Sequence, residues 1–263
     1  MKNKRLIIIL SVFAFLVLVA VLCSTVFTVK DVSINWLTTN PNIVQTDEEF
    51  IADVEKGQSV FLVDKTSIIE KLENKYSYLK VVSVEIKFPN KLVIHAAERQ
   101  ELYSIKIKDN KHAILDNDCK VLRIVNDAQL SSIEVKPINV DIQGYAIKED
   151  VFEESKIAEL GWVKNVLNDF SVALYSCGYE DVDAKNNIKN LQINVGGYDN
   201  KINMAMRYGV EVEIQQISDK LTEKFAFAMG IYDDLSEEDK SIGIIKTYVV
   251  NGVVKGEYDD LKD

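Results

Sequence analysis

Residues 57 to 99 read GQSVFLVDKTSIIEKLENKYSYLKVVSVEIKFPNKLVIHAAER. Gly57 breaks whatever precedes it, and Ser59 to Asp64 is a short apolar link. Asp64 is placed to cap a helix over Lys65 to Asn74, because its carboxylate can accept the orphan amides of a first turn. Ser67 and Glu70 offer an alternative capping box one turn later. Ile68, Ile69 and Leu72 recur at helical spacing. The period then changes from 3.6 to 2. Val82, Val84, Ile86 and Phe88 fall on one side, with Ser83, Glu85 and Lys87 on the other. Pro89-Asn90 turns the chain. Leu92, Ile94 and Ala96 then alternate with Lys91, Val93 and His95. The stretch predicts a helix followed by a hairpin, with Val84, Ile86 and Leu72 in a core.

Upstream, Val32, Ile34 and Trp36 alternate with polar residues, which predicts a strand over Phe27 to Trp36. Thr46 to Val54 reads as a short helix with Phe50, Ile51 and Val54 on one side. The order from residue 28 to residue 99 is therefore β-α-α-β-β. Ahead of it, Leu6 to Phe27 carries no charged residue and follows Lys2, Lys4 and Arg5. At 1.5 Å per residue such a run spans about 30 Å, a bilayer's hydrocarbon core. It is longer than the apolar core of a cleaved signal, and no small-x-small cleavage site follows. A single transmembrane helix over 6–27 is expected. The basic tail, 1–5, would be cytoplasmic and the remainder extracytoplasmic.

Downstream the texture changes. Leu102 to Ile107, Ala113 to Leu115, Val121-Leu122 and Pro137 to Ile142 read as strands, with Asp116-Asn117-Asp118 as a turn and Gly144 closing the last of them. Val151 to Phe170 reads as one long helix with Ile157, Leu160, Val163, Val166 and Leu167 as its stripe. Short strands are expected near Val172–Ser176, Leu191–Val195, Ile202–Tyr208 and Val210–Ile214. Gly196-Gly197 reads as part of a hairpin. Ser218 to Ile231 reads as a helix with Leu221, Phe225 and Met229 at i, i+4 and i+8. Ile242 to Val250 is expected to be the last strand. Residues 255–263 hold too little apolar content to pack and are expected to form an acidic mobile tail. The predicted class is α+β: one transmembrane helix, a β-α-α-β-β domain over 28–99, and a second mixed α+β domain over 100–254 with an antiparallel sheet.

Composition narrows the chemistry. The chain has formal charge −10, and without its three N-terminal positive charges the rest carries −13. Such a balance argues against nucleic acid or an anionic lipid surface as a partner. Of the three cysteines, Cys23 lies in the apolar run, while Cys119 and Cys177 stand far apart and read as small core residues. His95 and His112 are the only histidines and read as solvated or sheet-edge groups. No Cys or His spacing fits zinc. Asp116-Asn117-Asp118 lacks the glycine and glutamate of a calcium loop. No nucleophile elbow, phosphate loop or H-E-x-x-H motif is present. No catalytic residue, cofactor or metal ligand is assigned, and no enzyme activity is expected. Glu98 and Arg99 are adjacent, point to opposite faces of a strand, and mark the handover between domains.

These features resemble the FtsQ/DivIB family of bacterial cell-division proteins. The sharpest likeness runs from Gly57 through Phe61-Leu62, Ile68 to Leu72, Val82 to Ile86, Pro89, Leu92 to Ile94 and Glu98-Arg99, and it is similar to an FtsQ-type POTRA domain. His112 to Leu122 resembles the family's next hairpin, with Cys119 where glycine is usual. Ile138 to Gly144 resembles a later strand. Arg207 to Val210, Asp219 to Leu221 and Lys224 resemble the family's late strand and helix. The resemblance implies a non-enzymatic scaffold of the divisome at the septal membrane, joined to FtsL-like and DivIC/FtsB-like membrane proteins and helping to control septal wall synthesis. Two other readings stay open: an extracytoplasmic POTRA-containing chaperone or secretion module, and a membrane-anchored cell-wall hydrolase, which would need a nucleophile, a metal or a spaced carboxylate pair.

A partner site is expected on the last strand. Ile244 to Val250 is apolar and β-branched, with one lysine and no proline to guard an edge. Ile244, Lys246, Tyr248 and Val250 are the expected contacting face of a β-augmented complex, with Ile245, Thr247 and Val249 packed inward. The alternative is that another strand or the acidic tail covers this strand, or that it is simply a buried one.

Overall fold

The computed structural model describes residues 2–38, 50–51, 54, 56–143, 161–194 and 200–261. The chain divides into two units, Met1–Arg99 and Gln100–Asp263.

The first unit opens with helix α1, Lys2–Thr25, 24 residues long. Its described side chains, residues 9 to 21, are all exposed. Among the described residues no helix is long and apolar enough to cross a membrane. Strand β1, Asp31–Trp36, follows. Helix α2, Lys65–Lys75, starts where Asp64 accepts the amides of Thr66 and Ser67, at 3.0 and 3.2 Å. The Asp64 cap is thus used. Strands β2, Leu79–Lys87, and β3, Lys91–Glu98, complete the unit. The sheet runs in the order β1-β3-β2, with β1 parallel to β3 and β2 antiparallel to it. Leu72, Leu92, Ile94 and Ala96 form its core with Val29, Val32, Phe50 and Val54. Of the helix expected over Thr46 to Val54, residues 46–49, 52 and 53 lie outside the described residues. Phe50 and Ile51 are helical.

One expected face was wrong in β2. Val82 is 52% exposed, while Val81 and Val84 are buried at 6% and 5%. A β-bulge between Val81 and Ser83 shifts the register by one residue. The inward residues are therefore Leu79 and Val81 before it, and Val84 and Ile86 after it. An inserted residue flips every later side chain to the other face. Phe88 lies past the strand and is exposed. Arg99 closes the unit. Its guanidinium donates to Glu73 Oε2 at 2.7 Å and to the Leu79 carbonyl at 3.1 Å, while Glu73 Oε1 accepts the Val81 amide at 2.8 Å. This pair ties the end of β3 to α2 and to β2 beside the bulge.

The second unit is one nine-stranded sheet. Its strands are β4 (Tyr103–Ile107), β5 (Lys111–Leu115), β6 (Val121–Asn126), β7 (Ile138–Gln143), β8 (Ile188–Asn194), β9 (Lys201–Met206), β10 (Glu211–Gln215), β11 (Ile244–Val250) and β12 (Val253–Asp259), in the order β12-β11-β10-β9-β8-β7-β4-β5-β6. The sheet is mixed rather than antiparallel, because β4–β7, β7–β8 and β10–β11 are parallel pairs. Parallel neighbours need crossovers. Helix α3 (Asp127–Ser131) lies in the first, helices α4 (Gly161–Ser176) and α5 (Asp181–Asn187) in the second, and α6 (Leu221–Asp234) in the third. The core gathers Leu167, Phe170, Ala173 and Leu174 of α4 and Leu221, Phe225 and Met229 of α6 against the strands. The Phe170 and Phe225 rings meet edge to face at 4.7 Å.

The strand expected over Val172 to Ser176 is instead the last turn of α4. Its buried residues, Leu167, Phe170, Ser171, Ala173 and Leu174, fall on one helical face. Residues 151–160, Gly144 and the Gly196-Gly197 hairpin lie outside the described residues.

Candidate partner-binding edge of the large sheet

Strand β11 holds the residues expected to meet a partner. Ile245 and Thr247 are fully buried, and Ile244, Lys246 and Tyr248 are half-buried on the alternate face. Val250 lies at the end of that face and is 39% exposed. The burial of Ile245 and Thr247 follows the expected inward phase, while Val249, also expected inward, is only half-buried. The strand's backbone is a different matter. β11 is parallel to β10 on one side and antiparallel to β12 on the other. Both rows of its hydrogen-bonding groups have neighbours, so β11 is not an open edge.

The strand that covers it was expected to be a mobile acidic tail. Instead Val253 to Asp259 pairs residue by residue with β11, from Val253 opposite Val250 to Asp259 opposite Ile244. Three features dock it. Tyr258 packs against the core and donates its hydroxyl to the carbonyls of Asp239 and Ile242, at 3.0 and 2.9 Å. Gly256 faces α6 so closely that a Cβ would sit 2.8 Å from Phe227 and from Ile231. Gly243, at φ +111, lets β12 pass, since a Cβ there would meet the Tyr258 ring and the Asp259 carbonyl within 2.6 Å. A glycine on an inward position leaves no apolar letter in the sequence, and that hid the alternation.

With β12 in place, the candidate surface can be drawn. Val253, Lys255, Glu257 and Asp259 of β12 are exposed. The register sets Lys246 opposite Glu257, Tyr248 opposite Lys255, and Ile244 opposite Asp259. Across β10, Glu213 stands opposite Lys246. Glu213 accepts from Lys201 at 2.9 Å and from Gln215 at 2.7 Å. Burial alone would raise the Glu213 carboxyl, but these two donors outweigh it, and with the nearby charge of Lys246 they hold it below the usual carboxylate range. The face is thus a charge-alternating lattice edged by an exposed valine. Among the described residues β12 is the terminal strand, with β11 as its one sheet neighbour.

The remaining candidate groups are structural. His112 is buried, not solvated, with Nε2 2.9 Å from Asp127 Oδ1. His95 lies between Asn35, 3.0 Å from its Nδ1, and Glu85. Cys119 and Cys177 are free thiols, and burial pushes the Cys119 thiol up to about 12, far from a reactive thiolate. Lys224 is fully buried and donates to the Gln215 and Gln216 carbonyls at the end of β10. Burial lowers its ammonium below the ordinary value. Among the described residues no group of three acidic, histidine or cysteine side chains could hold a metal ion.

Comparison with known proteins gives the same two-part picture. The model of the FtsQ-type POTRA domain matches residues 29–99. Cell division protein DivIB of Clostridium botulinum strain Hall is 26% identical over 245 residues, covering 91% of this chain and 87% of the relative. DivIB of the Loch Maree strain is 26% identical over 224 residues, 82% of this chain and 80% of the relative. The chain is similar to DivIB proteins over most of its length. DivIB of Clostridium tetani is 31% identical over 137 residues, about half of each chain. The POTRA match lies within the first unit, and the similarity to the two botulinum DivIB proteins extends into the second. Sequence reasoning missed two features of this chain: β12, and the pairing of Arg99 with Glu73. The first carries a glycine on its inward face. The second joins residues 26 positions apart on a helix and a strand end, which no local pattern displays.

Proposed function

We propose that this chain is a non-enzymatic, membrane-anchored cell-division protein that holds other extracytoplasmic division proteins together at the septum. What carries the reading is the succession of an FtsQ-type POTRA domain and a sheet ending in an exposed strand, in a chain whose relatives are named cell division proteins. Anchoring is supported by the charge-free run Leu6 to Phe27 within and just beyond the 24-residue helix α1, a rise of about 36 Å. It is also supported by apolar side chains exposed all round, such as Ile9, Phe13 and Leu16. The basic tail, 1–5, stays in the cytoplasm in this reading, and both units lie outside. The partners are an FtsL-like and a DivIC/FtsB-like membrane protein, not nucleic acid.

Partner capture in this reading is β-augmentation at β12. A partner strand pairs with the outer backbone edge of Val253–Asp259, and the Lys246, Tyr248, Val250 and Ile244 face, extended by Lys255 and Glu257, selects its side chains. Backbone bonds supply affinity and the charge lattice supplies choice. The test is cellular. A fluorescent fusion should collect at midcell, and depletion should give filaments without septa. An even distribution around the membrane together with normal septation would overturn the reading.

A further inference from the structure

The first unit carries an apolar patch that its core does not use. Phe61 is 60% exposed, Leu62 71%, Phe88 63% and Val26 38%. With Phe27 the two phenylalanines form a closed triangle of rings: 5.3 Å from Phe27 to Phe61, 6.5 Å from Phe27 to Phe88, and 5.8 Å from Phe61 to Phe88. Three separate segments supply these rings, and backbone bonds clamp the segments together. The Val60 amide donates to the Phe27 carbonyl at 2.8 Å, Val29 to Gln58 at 2.9 Å, and Lys30 to Asn90 at 2.9 Å. The patch is a built surface, not a frayed loop. Contiguous exposed aromatic groups of this kind are uncommon on soluble surfaces and mark a contact.

Chain continuity says what the contact is. α1 ends at Thr25, and Phe27 is two residues further on. Two residues reach at most about 7 Å. If α1 spans the bilayer, the ring triangle lies at the level where the helix leaves it. Lys30, Lys87 and Lys91 are exposed at the same end of the sheet, with Lys87 and Lys91 opposite each other across the hairpin. Asp31 and Glu85 temper that charge, and Glu85 is 3.6 Å from Lys87. The attraction is therefore mainly apolar, with lysines free to reach phosphates.

We propose that Phe27, Phe61, Leu62 and Phe88 form an interfacial collar that inserts into the outer leaflet of the same bilayer that holds α1. The POTRA domain then lies docked on the membrane in one orientation rather than swinging from a tether. Aromatic rings favour this interfacial depth, and an inserted apolar face settles about 5–10 Å into the boundary between headgroups and acyl chains. The inference rests on the membrane-anchoring reading.

The test uses the full chain in vesicles of phosphatidylethanolamine and phosphatidylglycerol, with bromine placed in separate preparations high and deep in the acyl chains as a quencher. The deep position reports on residue 15 and the high one on residues 61, 88 and 82. Trp36→Phe and Trp162→Phe remove the native indoles. Single reporters are then introduced as Phe15→Trp, Phe61→Trp, Phe88→Trp and, as an exposed control in the same unit, Val82→Trp. The collar predicts blue-shifted and strongly quenched emission from positions 15, 61 and 88, and red, unquenched emission from position 82. Quenching at 15 with red, unquenched emission at 61 and 88 overturns the collar and leaves the anchor standing. Blue but unquenched emission at 61 and 88 also overturns it, since protein would then cover the patch. No quenching at position 15 overturns the anchor, and the collar with it.

Discussion

Two side chains carry disproportionate weight. Arg99 is buried, its side chain bonds Glu73 and the Leu79 carbonyl, and the second oxygen of Glu73 holds the Val81 amide. Removing the guanidinium takes the neutralising charge away from the part-buried Glu73 carboxylate. Arg99→Met should therefore destabilise the first unit by about 3–5 kcal/mol, read from urea unfolding monitored at Trp36. A loss below about 1 kcal/mol would place Arg99 among ordinary surface ion pairs. Glu213 gives a pH signature. Its folded-state value is depressed, so its contribution is fully present above the ordinary carboxylate value of about 4.5 and disappears as pH falls through the lower folded value. Thermal melts between pH 6 and pH 3 should show wild type losing its advantage over Glu213→Gln across that acid range. Parallel melting curves at all pH values would contradict the assignment.

At the level of elements, the bulge in β2 decides which valine matters. Val84→Ala should cost about 2 kcal/mol, whereas Val82→Ala should stay within about 0.5 kcal/mol. Equal costs in chemical denaturation would mean that the register does not shift. Period-2 reading recovered both strands of this hairpin and the inward Val84 and Ile86, since alternation survives on either side of an irregularity. It could not reveal the bulge, because Val81-Val82 offers apolar side chains in both phases. The same limit applies at the other end of the chain. The alternation of β11 was legible in Ile245 and Thr247, but its neighbour was not, since Gly256 and the charges of Lys255, Glu257 and Asp259 look like a solvated tail. The close approach of α6 explains that glycine. Gly256→Val would drive a branched side chain against Phe227 and Ile231 and should cost about 1–3 kcal/mol. Amide exchange in residues 253–259 should accelerate with it. Unchanged exchange would mean that β12 is not held by α6. Thr247→Pro is no test of an open edge, because both sides of β11 are paired.

For the whole molecule, the order of the described parts was legible: an apolar helix, a small unit of one strand, the Lys65–Lys75 helix and a hairpin, and a larger sheet with late helices all leave strong local periods. The strand order was not, since β4–β7, β7–β8 and β10–β11 join segments separated by crossovers, and no local pattern encodes a parallel neighbour. Only once β12 is placed does the proposed partner surface move from the side of β11 to the outer edge of β12. That displacement is the central claim, and backbone amides report on it directly. Hydrogen–deuterium exchange of the full chain in nanodiscs should be compared with and without the extracytoplasmic domain of the DivIC-like protein from the same organism. The account predicts new protection of the amides between Val253 and Asp259, with little change in β1 to β3. Protection confined to the POTRA strands, with residues 253–259 exchanging as in the free protein, would contradict it.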